Sequence, residues 1–270
     1  MIKFRGISAG LTAIGEILQN AGVFLKITLI WALILTGIVV AQVFYLVSIN
    51  GGTLSEGIKA LNSLANLRAQ IALNAIPSLL ASLATAILWT RFVVTGARPD
   101  GWLKIPRGSA RYFGRSLIIE FGAILGLVPG LIAARIVSEY VPPAYVPFVG
   151  PTVIGVDVLV VLYICIRLWL IFPAIAVGDQ SISFTRSFSL MRGKVFQFIL
   201  AMAIVCLTLG IAIILISIIV IVIPTSIPLF IATQILSSLV VLAGTAASAG
   251  VIARAYKILV IETQKNKRGG

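Results

Sequence analysis

Residues 195–223 read VFQFILAMAIVCLTLGIAIILISIIVIVI and contain no charged side chain. An α-helix rises about 1.5 Å per residue, so about 20 consecutive apolar residues cross the hydrocarbon core of a bilayer. This run is long enough to do so. Further runs of similar character occur at about residues 23–48, 71–95, 116–137, 152–172 and 229–261. The sequence therefore predicts an all-α fold, a polytopic membrane helix bundle with six transmembrane helices.

The composition of the whole chain also indicates a membrane protein. Hydrophobic residues make up 60% of the 270 residues and charged residues only 11%, and the mean hydropathy is +1.12. A water-soluble domain of this size needs far more polar surface. We therefore expect one transmembrane domain over residues 1–270 and no soluble domain. At about residues 6–20, Ile7, Leu11 and Ile14 have helical spacing, which predicts an interfacial helix before the first span.

The excess of positive charge, 21 Lys and Arg against 8 Asp and Glu, indicates topology. No basic run is interleaved with exposed aromatic residues, so a nucleic acid partner is not expected. The cations lie beside alternate ends of the spans, whereas the opposite connections hold only Lys59, Arg68 and Arg135. Because Lys and Arg resist translocation, the N- and C-termini are both predicted to be cytoplasmic.

Successive spans can be paired into helical hairpins that share one feature. Each hairpin ends in an arginine set a turn or more inside its apolar run, namely Arg91, Arg167 and Arg254. The spacing between these arginines is unequal, which leaves two interpretations open. The spans form three diverged hairpins, or each arginine independently reaches the membrane surface with its long side chain.

The inventory of catalytic residues is poor. The chain has no histidine, which is the commonest catalytic base and metal ligand. Its acidic residues do not pair at helical spacing, and neither a P-loop nor an HExxH motif occurs. Cys165 and Cys206 lie inside apolar runs without ligand spacing and are interpreted as packing residues. We expect no catalytic site, no metal and no cofactor.

The charged residues inside the spans are the best candidates for function, because a charge in hydrocarbon is costly and usually has a partner. Glu120 and Arg167 lie at similar depths on consecutive spans, so the sequence predicts an ion pair that clamps the two helices. The alternative interpretation places Arg167 with Arg91 and Arg254 in a cationic pocket for an anionic lipid or another anion.

Small residues predict where helices approach closely. Gly122, Gly126 and Gly130 recur every four residues on the third span. Such a stripe lets another helix pack against the backbone, so it is typical of helix packing in membranes whatever the function.

The segment RLWLIFPAIAVGDQSISFTRSFSLMRGKVF, residues 167–196, is the most distinctive in the chain. It resembles the membrane domains of the glycerophosphodiester phosphodiesterase type and bacterial inner-membrane proteins of the YciC type. In these an Arg inside a span precedes a Pro, an acidic turn and an R-S-aromatic-x-L-x-x-G segment. The matching positions here are Arg167, Pro173, Asp179, Arg186, Ser187, Phe188, Leu190 and Gly193. The resemblance implies a six-span fold in a bacterial cytoplasmic (inner) membrane, without the soluble phosphodiesterase domain.

The same segment has a physical interpretation of its own. Phe184 and Phe188 share one face of a short helix, whereas Arg186 and Arg192 point toward lipid headgroups. This pattern predicts a helix that lies flat on the membrane surface, either as a plain connector or as a contact for a partner protein.

Taken alone, the sequence favours a non-enzymatic multi-pass membrane protein with a membrane-organising, lipid-associated or accessory role. The expected partners are the lipid bilayer, in particular anionic lipids, and an unidentified membrane or cytoplasmic protein. The alternative function is a membrane transporter or permease subunit for a small or lipid-like substrate, with intramembrane charges along its path.

Overall fold

The computed structural model describes residues 4–50, 52–53, 56–57, 60, 64–99, 108–222 and 226–262. Over these ranges the chain is helical. The helices are α1 Gly6–Gln19, α2 Ala21–Asn50, α3 Leu64–Thr95, α4 Ser109–Tyr140, α5 Val146–Leu168, α6 Ile171–Val177, α7 Phe184–Leu190, α8 Val195–Val222 and α9 Ile227–Tyr256, which continues as a π-helix over Lys257–Glu262.

In the described part of the chain, six helices are long and apolar enough to cross a membrane. They are α2, α3, α4, α5 with α6, α8, and α9, so the predicted all-α polytopic bundle is confirmed. The protein is a multi-pass membrane protein. The basic connection at 100–107, the tail at 263–270 and the predicted span limit at 223 lie outside the described residues. We call the end of the bundle marked by Arg98 and Arg111 the basic end.

Several span limits differ from those predicted, among them the start of α5, which is Val146 and not about residue 152. Helix α4 begins at Ser109 and not near residue 116, because Arg111 and Arg115 mark where the helix leaves the lipid without ending it. The fourth span is broken between Leu168 and Ile171, where α5 ends and α6 begins. Pro173 falls in the first turn of α6, where a missing N–H costs little.

Helix α9 is the centre of the bundle and contacts α1, α2, α3, α6 and α8. Small residues on α9 permit these close approaches. At Gly250 an added Cβ would lie 3.3 Å from Trp89 Nε1 and 3.4 Å from the Cβ of Ala13. Trp89 is fully buried and packs edge-on against Phe24. Helices α1, α2 and α3 are therefore joined around one point of α9.

Helix α1, the predicted interfacial helix, packs one face firmly against α8 and α9. Ala13 and Ile17 are buried, whereas Ile7, Leu11 and Leu18 are exposed on the other face. The helix thus has the two faces expected of a membrane-surface element, with one of them covered by protein.

Helices α4 and α5 form a hairpin that packs mostly against itself. Helix α4 reaches the rest of the bundle through α3 and α6, and α5 does so through α7 and α8. The glycine stripe explains the geometry of the hairpin. A Cβ at Gly130 would overlap the carboxyl group of Asp157 and one at Gly126 would lie 3.0 Å from Val161, whereas Gly122 faces open space. The two helices therefore separate toward the basic end.

Candidate functional site

Arg167 is 8% exposed and bonds within its own helix and to α7. Its Nε donates to the carbonyl oxygen of Phe188 at 2.8 Å, and its Nη1 donates to the hydroxyl of Tyr163 at 3.2 Å. The guanidinium also lies 3.5 Å from the centre of the Phe188 ring. In return, the Ser187 hydroxyl donates to the Arg167 carbonyl oxygen at 2.8 Å. Arg167 therefore fastens α7 to the end of α5.

Glu120 does not meet Arg167, so the predicted ion pair is absent. Its Oε1 accepts a hydrogen bond from the Ser116 hydroxyl at 2.8 Å, and its side chain is exposed. The prediction matched the depths of the two residues along their helices, but depth does not fix the direction in which a side chain points around a helix. Here the two side chains leave α4 and α5 toward different neighbours.

The arginines of the predicted cationic pocket take separate partners. Arg91 Nε donates to the Ala176 carbonyl oxygen at 2.5 Å. Arg254 forms a two-pronged ion pair with Glu16, in which Nε donates to Oε2 at 3.2 Å and Nη2 to Oε1. Each of the three arginines thus contacts a different part of the protein, and their contact with an anionic lipid stays a prediction.

Two of these contacts have the same physical cause. The last carbonyl groups of a helix have no partner within the helix and carry partial negative charge. Ala176 lies in the last turn of α6 and Phe188 in the last turn of α7. Arg91 and Arg167 supply charged donors to these carbonyls and thereby hold two short helices against the basic end of the bundle.

Of the residues predicted to form a membrane-surface helix, Phe184, Arg186 and Phe188 lie on α7, and Arg192 lies just after its end. Arg186 and Arg192 are exposed, whereas Phe184 and Phe188 are half-buried. The guanidinium of Arg115 stacks over the Phe184 ring, 4.6 Å from its centre. Helix α7 therefore turns its aromatic residues toward arginines of α4 and α5 and its own Arg186 outward.

A further contact at the basic end was not predicted. The Tyr256 hydroxyl donates to Asp179 Oδ2 at 2.5 Å, and the Ser181 backbone N–H donates to Asp179 Oδ1 at 2.7 Å. Partial burial acts to raise the pKa of Asp179, but these hydrogen bonds and the charge of Arg186 outweigh it and lower the pKa. The carboxylate thus links the α6–α7 connection to the end of α9.

The described part of the bundle contains a cleft of about 620 Å³ between the α4–α5 hairpin and α9. Most of its described lining residues are apolar or small. Glu120 is the one Asp, Glu, Lys, Arg or His among them. The lining residues are Ala86, Tyr112, Ser116, Ile119, Glu120, Ala123, Cys165, Trp169, Phe172, Met202, Gly244, Thr245, Ser248, Ala249 and Ile252.

A second opening of about 380 Å³, which we call the notch, lies between α4 and α5 beside Gly122. The notch is lined almost wholly by apolar residues and shares Ile119, Ala123 and Cys165 with the cleft. The two openings therefore lie on either side of one thin wall. The glycine stripe shapes the hairpin in two ways. At Gly130 it lets α4 and α5 pack closely, and at Gly122 it leaves space between them.

Sequence reasoning missed the cleft as a site. Nothing in the sequence indicates that Gly244 and Ser248 of the sixth span line the same cleft as Glu120. In the described ranges, no three His, Cys, Asp or Glu side chains come together as metal ligands, and the structure offers no candidate metal site there.

Comparison with protein-family models, with curated proteins and with solved structures finds no match to this chain.

Proposed function

We propose that this protein is a non-enzymatic membrane protein that binds an amphiphile, a membrane lipid, in the cleft between the α4–α5 hairpin and α9. The observation that carries the proposal is the cleft itself, in which an apolar wall is interrupted by one carboxylate and a few hydroxyl groups. Ligand pockets of about 300–1,000 Å³ have this make-up, with apolar linings and few polar groups.

The architecture around the cleft supports this role. The hairpin is joined to the bundle through limited contacts with α3, α6, α7 and α8. Its remaining length packs on itself and exposes large apolar side chains such as Phe121, Ile124 and Leu125. A cleft with such a border is accessible to lipid chains from the bilayer.

The proposal includes the location of the protein. We place the basic end in the cytoplasm because Lys and Arg resist translocation, and the N- and C-termini go with it. The resemblance of residues 167–196 to inner-membrane proteins of the YciC type supports a bacterial cytoplasmic membrane.

The arginine contacts of α6 and α7 serve structure in this account. Contacts of exposed Arg186 and Arg192 with anionic headgroups, or with a protein partner, belong to the same proposal.

Transport is the second candidate function. One observation favours it. Glu120 lies in the cleft between the α4–α5 hairpin and α9, and the hairpin has few contacts with the other helices. A hairpin that moved against α9 would expose the cleft to either side of the membrane. Uptake of labelled amphiphile into proteoliposomes, beyond binding to them, distinguishes transport from simple lipid binding.

Replacement of Ala123 by Trp tests the proposal, because Ala123 lines both the cleft and the notch. We expect Ala123→Trp to fill the site and to lower the lipid retained per protein at least about fivefold, a loss typical of displacing a ligand from a filled pocket. Native mass spectrometry of protein released from nanodiscs measures the retained lipid.

The matched control is Ala41→Trp, which introduces the same side chain at an exposed position on α2. It should keep the lipid of the wild-type protein. Equal lipid retention by both variants and the wild type would contradict binding in the cleft.

A further inference from the structure

Glu120 is a carboxylate in the wall of the cleft to which the described part of the protein supplies no positive partner. Its one hydrogen bond there is the 2.8 Å contact from Ser116 to Oε1. Among the other described carboxylates, several do have partners, whereas the buried Oδ2 of Asp157 has none and lies beside Gly130, outside the lining of the cleft. Glu16 pairs with Arg254, Glu139 lies 3.9 Å from Arg135, and Asp179 accepts from Tyr256.

The surroundings of Glu120 make a cation the complementary ligand. A carboxylate within an apolar span costs about 2.5–3.5 kcal/mol on insertion scales, and a paired positive charge offsets that cost. Among the described residues that line the cleft there is no Lys or Arg. The neighbouring hydroxyls of Ser116, Thr245 and Ser248 can accept hydrogen bonds as well as donate them, which suits an ammonium group with several N–H donors.

The position of Glu120 relative to the notch defines the rest of the ligand. Ile119 and Ala123 flank Glu120 on α4 and border both openings. A molecule with its charged group at Glu120 therefore has an apolar surface within reach on the same wall. The described residues that line the notch include no charged side chain, so the matching part of the ligand is hydrocarbon.

We infer that the cleft selects a lipid with a primary ammonium headgroup, which pairs with the Glu120 carboxylate while an acyl chain lies along the notch. This inference rests on the proposed function and adds the chemistry of the headgroup. An anionic lipid without an amine would bring its negative charge toward Glu120 and would bind less well.

The test uses full-length protein in vesicles of equal parts phosphatidylethanolamine and phosphatidylglycerol. The co-purified lipids are counted by mass spectrometry for the wild type, Glu120→Gln, and the control Glu139→Gln, which removes an exposed carboxylate at the other end of α4. We expect the wild type and Glu139→Gln to enrich the amine lipid about fivefold over the bulk ratio. Glu120→Gln should lose this enrichment but keep a similar total of bound lipid, because the apolar wall is unchanged.

Two results would overturn the inference while leaving the proposed function intact. One is undiminished amine-lipid enrichment in Glu120→Gln, with Ala123→Trp still depleted of lipid. The other is equal retention of phosphatidylethanolamine and phosphatidylglycerol by the wild type, with Ala123→Trp still depleted of lipid, which would show that the cleft binds lipid without selecting the amine. Failure of Ala123→Trp to reduce bound lipid would instead remove the proposed function itself.

Discussion

Arg167→Met is expected to lower the free energy of unfolding by about 3 kcal/mol and the apparent melting temperature by about 6–10 °C. Methionine has a similar length but donates no hydrogen bond. The substitution leaves the Phe188 carbonyl oxygen without its charged donor, which is 2.8 Å away in the wild type. It also removes the contact between the guanidinium and the Phe188 ring at 3.5 Å, and cation–π contacts contribute about 0.5–2 kcal/mol.

The control for this prediction is Arg135→Met at the opposite end of the hairpin. The Arg135 side chain is 87% exposed, and its contact with Glu139 is 3.9 Å long, so its removal should change the melting temperature by no more than about 1–2 °C. Thermal melts of both variants in the same detergent check the prediction. Equal melting temperatures would show that Arg167 does not hold α7 to α5.

Gly10→Leu is expected to displace α1 from α8. A Cβ at Gly10 would lie 2.7 Å from the backbone oxygen of Ala201 and 3.0 Å from the Cβ of Ile204. The backbone oxygen cannot rotate away as a side chain can, so α1 must shift. Overpacking of this kind costs about 1–3 kcal/mol, and we expect a fall of about 4–10 °C in the apparent melting temperature.

The same helix supplies the matched control. Gly15 also lies on α1, but nothing lies within 4 Å of an added Cβ there. Gly15→Leu should therefore be neutral or slightly stabilising, because leucine has the higher helix propensity. If Gly10→Leu melted at the same temperature as Gly15→Leu, the close approach of α1 to α8 would be wrong.

The transmembrane helices were predictable because lipid imposes a simple demand. Each span needs about 20 apolar residues whatever its neighbours, and this demand is visible in local composition. The break between α5 and α6 was harder to predict, since the apolar run continues without interruption from Leu168 to Val177. Hydropathy shows that a segment suits the membrane, but it does not show where a helix ends inside an apolar stretch.

The candidate site was less predictable, for a different reason. The partners of Arg91 and Arg167 are backbone carbonyls, 85 and 21 residues away in sequence, and every residue has a carbonyl. A charged partner such as Glu16 for Arg254 is visible in the sequence, but it lies 238 residues away. Charge type identified these residues as important, whereas their contacts depend on how the helices are rotated in the bundle.

The cleft depends on the same rotations. A span that is apolar all around gives no sequence signal for which face meets protein and which meets lipid. Gly122, Gly126 and Gly130 have the same spacing in sequence, yet an added Cβ would meet α5 at Gly126 and Gly130 and would meet nothing within 4 Å at Gly122. The glycine stripe predicted close packing, and only the structure distinguishes the packed end from the open one.

The most direct test of lipid binding in the cleft is a high-resolution map of the protein in nanodiscs of its own membrane lipids. We predict elongated density between the α4–α5 hairpin and α9, with a headgroup next to Glu120 and a chain along the notch, and its loss in Ala123→Trp. A hairpin closed onto α9 with side chains filling the cleft would contradict the account.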